Sequence, residues 1–383
     1  KARDEMRSGR PEGAVKILEP LALQEGDDQL VYLLDYAVAL QEAGRFDESN
    51  RAFLKAQQLA DIKDYHSLSR ITGSLLLSEG MVQYKGEDYE KLLIHVYLAL
   101  NFLMLDKLDD ALVETKQIDI KLTKYRLEAK REYEQNPFAR YLSAMIWEAD
   151  RKWDDAYIDY KTAYNLRPSV TLLKEDLLRT SLLSRRTDDL AGWRKAFPEV
   201  KTDNWWKDKS YGEIVLIFQQ GRAPVKRPHP DSHRFPKLYA VPSITRYARI
   251  EVDGGPTETS QPIYSVQDIA IKTLDDAYAG LVAKRIGGVV AKHVVAEEIR
   301  KKDELLGAIA WIGMNIADQA DLRQWSTLPE TFQVARVPIK SGKYRVRVQG
   351  LDGGLGPSGE QMPEREVEIR PGKKAFVIWR SFN

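Results

Sequence analysis

The sequence predicts an α+β protein: an N-terminal α-helical solenoid, then a β-rich C-terminal region (antiparallel sheet or small sandwich) carrying a helical insert. Three observations predict it. Apolar residues recur at helical spacing as far as about Leu183. Prolines then cluster between Pro198 and Pro262, and β-branched residues return with them. After Thr331 the chain alternates apolar and polar residues in four successive segments. A chain of 383 residues holds two or three domains. The expected division is 1–197 for the helical repeats, 198–326 for a mixed β region with a helical hairpin at about 264–318, and 327–383 for antiparallel strands packed with 205–262.

In the helical half, Leu30, Leu33, Leu34, Ala37 and Leu40 mark one apolar face, and Leu92, Val96, Ala99, Leu100 and Leu103 another. A short word also recurs: a turn, an apolar or aromatic residue, acidic residues, then a small residue. It reads Gly44-Arg45-Phe46-Asp47-Glu48-Ser49, then Lys107-Leu108-Asp109-Asp110-Ala111, then Lys152-Trp153-Asp154-Asp155-Ala156. A degenerate first copy is Gly9-Arg10-Pro11-Glu12-Gly13-Ala14. The small residue lets paired helices approach, the apolar one plugs the turn, and the acids sit where the helix dipole favours negative charge. This is the logic of a tetratricopeptide repeat. The first gap between copies is close to the usual period of about 34 residues and the later gaps are longer. Extra or lengthened helices are therefore expected around Lys63–Lys85 and Lys121–Gln135.

Beyond Pro198, Gly212–Phe218 reads as a strand buried on both faces, and Lys237–Val241 and Arg246–Val252 as half-exposed strands. Helical patterns follow, and within Leu305–Ile316 the small residues Gly307, Ala310 and Gly313, continued by Ala317, permit close helix contact. Strands at 331–337, 342–348, 364–369 and 374–380 close the chain. Their polar face carries Arg336, Lys343, Arg345, Arg347, Lys373, Lys374 and Arg380, read as an outer basic surface.

Composition excludes several chemistries. There is no cysteine, so disulfides, thiolate metal sites and cysteine nucleophiles are out, and only five histidines remain for metal or proton work. A formal charge of +1 gives no global argument for nucleic acid, and no apolar run reaches membrane-spanning length. Gly353–Gly359 lacks the Gly-Lys-Ser/Thr ending of a phosphate loop and reads as a hairpin loop. His229-Pro230-Asp231-Ser232-His233 offers two imidazoles and a carboxylate but lacks further ligands nearby in sequence. Trp205-Trp206, beside Lys207 and Lys209, reads as a plug at a domain junction or a stacking surface. No cofactor and no metal are expected.

The runs Leu30–Leu40, Gly44–Ala56, Tyr84–Leu93 and Tyr97–Leu103 resemble a family of bacterial tetratricopeptide-repeat-containing lipoproteins of the Gram-negative envelope. So do Asn136–Leu142, Gly221–Lys226 and Asp321–Pro329. The resemblance implies a lipid-anchored, periplasm-facing outer-membrane lipoprotein, neighbouring secretion or assembly lipoproteins, with no assigned activity. Where that family carries arginines after a Val-Glu pair, Thr115-Lys116 follows Val113-Glu114 here, so a role for that charge does not carry over. A chain starting at Lys1 is what removal of a signal peptide, a preceding lipidated cysteine or a chosen boundary would each leave. The expected function is a non-catalytic scaffold or adaptor with a protein partner, no nucleic acid, and membrane attachment only through an N-terminal lipid anchor. The expected partner-binding residues are Tyr84, Tyr89, Tyr97 and Asn101 on the helices, and Arg222, Lys226, Arg345 and Arg347 on the β side. Two rivals are a cytoplasmic peptide or chaperone adaptor and an envelope hydrolase using Glu87, Asp88 or His95.

Overall fold

The computed structural model describes residues 1–69, 84–127, 135–230, 232–276, 278, 297 and 320–383. The helices are α1 (Ala2–Arg7), α2 (Pro11–Leu23), α3 (Gln29–Glu42), α4 (Phe46–Ser69), α5 (Asp88–Met104), α6 (Leu108–Leu127), α7 (Pro137–Ala149), α8 (Trp153–Leu166), α9 (Thr171–Leu183) and α10 (Thr187–Ala196). The strands are β1 (Tyr211–Gln220), β2 (Val225–His229), β3 (Ser232–Tyr239), β4 (Tyr247–Val252), β5 (Thr257–Thr259), β6 (Gln261–Ser265), β7 (Thr331–Lys340), β8 (Gly342–Leu351), β9 (Pro357–Ile369) and β10 (Lys374–Arg380).

Five helix pairs turn in the same way. Gly9, Gly44, Asp106, Arg151 and Arg185 all adopt a left-handed conformation, with φ from 56° to 73°. In each turn the next amide donates to a carbonyl five residues back at 2.9 Å: Arg10 to Glu5, Arg45 to Leu40, Lys107 to Phe102, Lys152 to Trp147, Arg186 to Ser181. That bond ends the first helix by satisfying a carbonyl that would otherwise be orphaned. An acidic residue or pair opens the second helix each time, from Glu12 on α2 to Asp188 and Asp189 on α10. The small residues Ala14, Ser49, Ala111 and Ala156 are fully buried, as tetratricopeptide-like packing requires.

The chain groups into two compact units. Unit 1 holds Lys1–Lys91, Pro224–Val241 and Gln267–Thr327; unit 2 holds Leu92–Ala223, Pro242–Val266 and Leu328–Asn383. The expected break after 326 lies beside a unit boundary, whereas the expected break after 197 falls inside unit 2. There the sheet is tied to α7, α8 and α9 through side chains.

Unit 1 contains α1 to α4, the first turn of α5 and the ribbon β2–β3, in which Pro228 faces Pro236. It also contains helical residues at 267–276 and the non-helical stretch 320–327. Of the expected helical insert, 266–276 is helical; Leu305–Ile316, with Gly307, Ala310 and Gly313, and Ala317 after it lie outside the described residues. Helices α4 and α6 are long, reaching Ser69 and Leu127, and the remainder of the expected lengthenings likewise falls outside.

Unit 2 stacks helices on one sheet and that sheet on a second. The first sheet has strand order β10-β1-β7-β6, the second β5-β4-β8-β9. Alternate residues of β1 explain its unbroken apolar run. Ile214, Leu216 and Phe218 meet Ile250, Val346, Val348 and Met362 in the core between the sheets. Glu213 and Gln219 lie on the opposite face, toward α5 and α7–α9. There Phe138 stacks on Phe332 at 4.6 Å, and the Tyr97 hydroxyl donates to Gln219 at 2.7 Å. One pairing departs from the expected antiparallel pattern: β10 runs parallel to β1, with Glu213 beside Lys374. The short turn after β9 carries the chain from the second sheet to the first, which fixes that direction.

Candidate functional site

In unit 1 the helices grip a non-helical stretch of the same chain. Trp325 is 1% exposed, and its ring lies 5.7 Å from that of Phe53. Its amide donates to the Glu90 carboxylate at 2.8 Å. Asp35 of α3 accepts from the Thr327 amide at 3.0 Å, the Thr327 hydroxyl at 2.9 Å and the Ser326 hydroxyl at 2.6 Å. Arg323 forks onto Asp321, reaches Asp28 at 3.1 Å and lies over the Tyr84 ring at 5.7 Å. Lys226 completes the grip, with its ammonium on Glu87 at 2.9 Å and on the Arg323 carbonyl at 3.2 Å. Burial raises the pKa of Asp35, against the pull of its hydroxyl and amide donors. Burial, then the charge on Glu87, also raises that of Glu90.

Unit 2 contains a buried ionic cluster. Arg336 of β7 donates to both Glu213 oxygens at 2.7 and 2.6 Å, to the Tyr160 hydroxyl at 3.2 Å and to Asp176. Arg179 of α9 donates to Glu148 at 3.0 and 3.2 Å and to Asp176 at 2.6 Å. Lys374 pairs with Glu213 and, at 3.2 Å, with Glu148. Tyr141 donates to Asp176 at 2.8 Å and Tyr160 to Glu148 at 2.7 Å. Three cations thus meet three fully buried carboxylates, and Arg179 also lies 3.7 Å from the partly exposed Glu175. Burial alone would raise Glu148 and Glu213. Arg179, Lys374 and Arg336 instead hold Glu148 well below the usual carboxylate range. Arg336, then Lys374 and Arg179, bring Glu213 down to about 2.

Beside this cluster lies a recess of about 310 Å³, with Glu148, Arg179, Glu213 and Lys374 in its lining. Trp205 and Trp206, on a short 3-10 helix Asn204–Trp206, form part of its wall. The Trp205 ring covers the Arg179 guanidinium at 5.1 Å, and the Trp206 indole donates to Glu175 at 3.1 Å.

The expected partner-binding residues separate into two groups. Tyr84, Tyr89, Tyr97 and Asn101 are interior, none more than 6% exposed, which corrects their reading as an open groove. Tyr84 donates to Glu90 and Tyr97 to Gln219, so their stripe is covered by the chain itself. Lys226 is engaged as described, and Arg222 is half-buried. Arg345 and Arg347 are exposed on β8, where Arg347 pairs with Asp253 at 3.1 Å. The basic β face also needs correction: Arg336, Lys374 and Arg380 point inward, and Arg380 donates to the carbonyls of Gln219 and Gly221.

The residues of the hydrolase reading are each committed separately. Glu87 holds Lys226, Asp88 lies 3.5 Å from Lys91, and His95 meets Glu114 through Nδ1 at 2.7 Å. Of the histidine-rich stretch, His229 lies 6.4 Å from the Tyr278 ring, Asp231 is outside the described residues, and no metal-ligand group occurs among the described residues. The glycine-rich loop is a turn closed by Asp352, which accepts from the amides of Gly354 at 2.8 Å and Gly356 at 3.0 Å.

No protein-family model and no curated protein sequence matches the chain. Among solved structures, MamA 41-end from Desulfovibrio magneticus RS-1 is similar at 16% identity and TM-score 0.33, over 52% of this chain and 88% of that one. A Podosopora anserina putative kinesin light chain with nearly identical TPR-like repeats gives 13% identity and TM-score 0.35, over 52% and 94%. A tetratricopeptide repeat protein from Parabacteroides merdae gives 11% and 0.23, over 54% and 79%.

Proposed function

We propose that the protein is a non-catalytic scaffold that binds a protein partner through its helix-hairpin repeats. In this reading the β-rich part docks the pair into an assembly of the Gram-negative envelope. The protein faces the periplasm as an outer-membrane-associated lipoprotein, and the exposed Arg345 and Arg347 belong to the docking side. The observation that carries the non-catalytic part is the closure of the Arg336 cluster. Within it Arg179, Lys374 and Arg336 hold Glu148 and Glu213 ionised, below the usual carboxylate range, so these two carboxylates are not poised to exchange protons. Stacked hairpins supply extended surfaces for partners, which supports the binding part by fold-level analogy. A cysteine-free composition suits an oxidising compartment.

The test is in-cell crosslinking of the full-length gene product, followed by fractionation and mass spectrometry of captured neighbours. Recovery with outer membranes, joined to one reproducible protein neighbour, is the expected result. Recovery in the cytosol with an uncleaved amino terminus would overturn the envelope assignment. Turnover of a substrate by the purified chain would overturn the scaffold assignment.

A further inference from the structure

We infer that the recess in unit 2 seats an acidic peptide segment of the partner, with an apolar anchor residue inserted between charged neighbours; this rests on the scaffold reading above. Charge is the first argument. Arg151, Lys207, Lys209 and Lys373 are exposed and line the recess, and their side chains make no ion pair or hydrogen bond among the described residues. The only exposed acid in the lining is Asp208. Below them Arg179, Arg336 and Lys374 face Glu148, Asp176, Glu213 and the partly exposed Glu175, so the cluster leaves at most one negative charge against the four cations at the opening. Four like charges left without counter-ions repel one another, and an anionic ligand removes that repulsion.

The walls supply the second argument. Trp205, half-buried, stands over Arg179, and the buried Trp206 is held by Glu175, so the aromatic wall is ordered before anything binds. Fixed aromatic faces favour an apolar side chain or ring. A volume near 310 Å³ is at the small end for ligand sites; it suits one anchor residue and short flanking backbone. The four cations come from three separate stretches: the α7–α8 turn, the segment after the 3-10 helix, and the turn before β10. Spread in this way they suit several carboxylates along an extended chain better than one compact anion. Gly372, with φ of 65°, lies against the end of the Arg151 side chain. A Cβ there would lie 2.7 Å from the Arg151 guanidinium and displace it.

The experiment measures binding of acetyl-Asp-Glu-Phe-Asp-Glu-amide to the full chain at low salt, by tryptophan fluorescence and calorimetry. Saturable binding is expected, weakened at least about tenfold by Lys207→Glu, Lys209→Glu and Lys373→Glu combined, and similarly by alanine for phenylalanine in the peptide. The control Lys16→Glu, Lys55→Glu and Lys343→Glu, an equal charge change at exposed positions outside the recess lining, is expected to stay within about twofold. No binding, equal binding of the lysine-for-acid peptide, or equal loss in the control would each overturn the inference. Full displacement by inorganic phosphate at matched concentration would reduce the recess to a simple anion site and also overturn it. Crosslinked partner capture separates the two levels. Capture unchanged in the triple variant overturns the peptide seat alone, whereas no capture by the unmodified chain overturns the scaffold reading.

Discussion

Unit 1 and unit 2 both bury carboxylates, and they do so in opposite ways. In unit 1, Asp35 and Glu90 accept from backbone amides and hydroxyls of residues 325–327, around an apolar anchor, Trp325. In unit 2, Glu148, Asp176 and Glu213 are met by guanidinium and ammonium groups. Burial therefore wins in the first case and raises the carboxyl pKa; in the second the cations win and lower those of Glu148 and Glu213. The difference shows that a buried acid has no fixed electrostatic meaning: several cations closing on one carboxylate overcome its burial, whereas neutral donors, or the single guanidinium of Arg140 at Asp159, do not.

Removing a member of the cluster tests the comparison hardest. Arg336→Ala leaves Glu213 and Asp176 buried with fewer counter-charges and is expected to cost about 3–5 kcal/mol in urea unfolding. An apolar replacement of all six charged members together should cost far less, because the desolvation penalty leaves with them. In unit 1 the matching change is Trp325→Ala, expected to cost about 3–5 kcal/mol through the cavity it opens. Asp35→Ala should cost less, about 1–3 kcal/mol, and expose 320–327 to protease before the rest of the chain. Equal protection of that stretch in both proteins would show that the carboxylate is not what holds it.

Acid sharpens the contrast at smaller cost. Glu213 titrates near 2 when folded against an ordinary value of 4.5, so its contribution is complete above 4.5 and is lost as pH falls toward 2. Asp35 and Glu90 have the reverse sign: held above their ordinary values, they contribute less as pH rises from the carboxyl range through the raised values. Hydrogen exchange at pH 7, 5 and 3 should therefore show 325–327 protected at least as well at 5 as at 7. The amides of α7 and α9 should weaken only at the lowest pH. The smallest effect is expected at Asp159, which burial raises to about 6 despite Arg140. Its folded form binds a proton more tightly, so stability falls as pH rises from about 4 to 6. Asp159→Asn should flatten that slope in thermal melts, and an unchanged slope would place the titration elsewhere.

The hairpin array was legible because its turn has a strict chemistry: a left-handed residue, then a plug, then acids. The α9–α10 hairpin departs from that chemistry. Arg185 stands at its left-handed position and Leu190 where the other hairpins have a small residue, so only Asp188-Asp189 signals it in the sequence. The tyrosine stripe was visible, but not what covers it: Glu90 meets Trp325 across 235 residues of sequence. Strand alternation likewise locates two faces on β7 without saying which one is covered, so the pattern alone leaves Arg336 on the outer one. The clues were Glu213 inside an apolar run and Arg336 between Ala335 and Val337. The direction of β10 depends on a turn that changes sheets, which local pattern does not encode.

The grip on residues 325–327 sets a timetable for synthesis. Asp35 leaves the ribosome 291 residues before Ser326 does. At translation rates of about 5–20 residues per second, its hydrogen-bonding partners arrive roughly 15–60 s later. The amino-terminal hairpins must wait with an acid and an apolar hollow unfilled. During that interval a chaperone or translocation factor has its best opportunity to hold them.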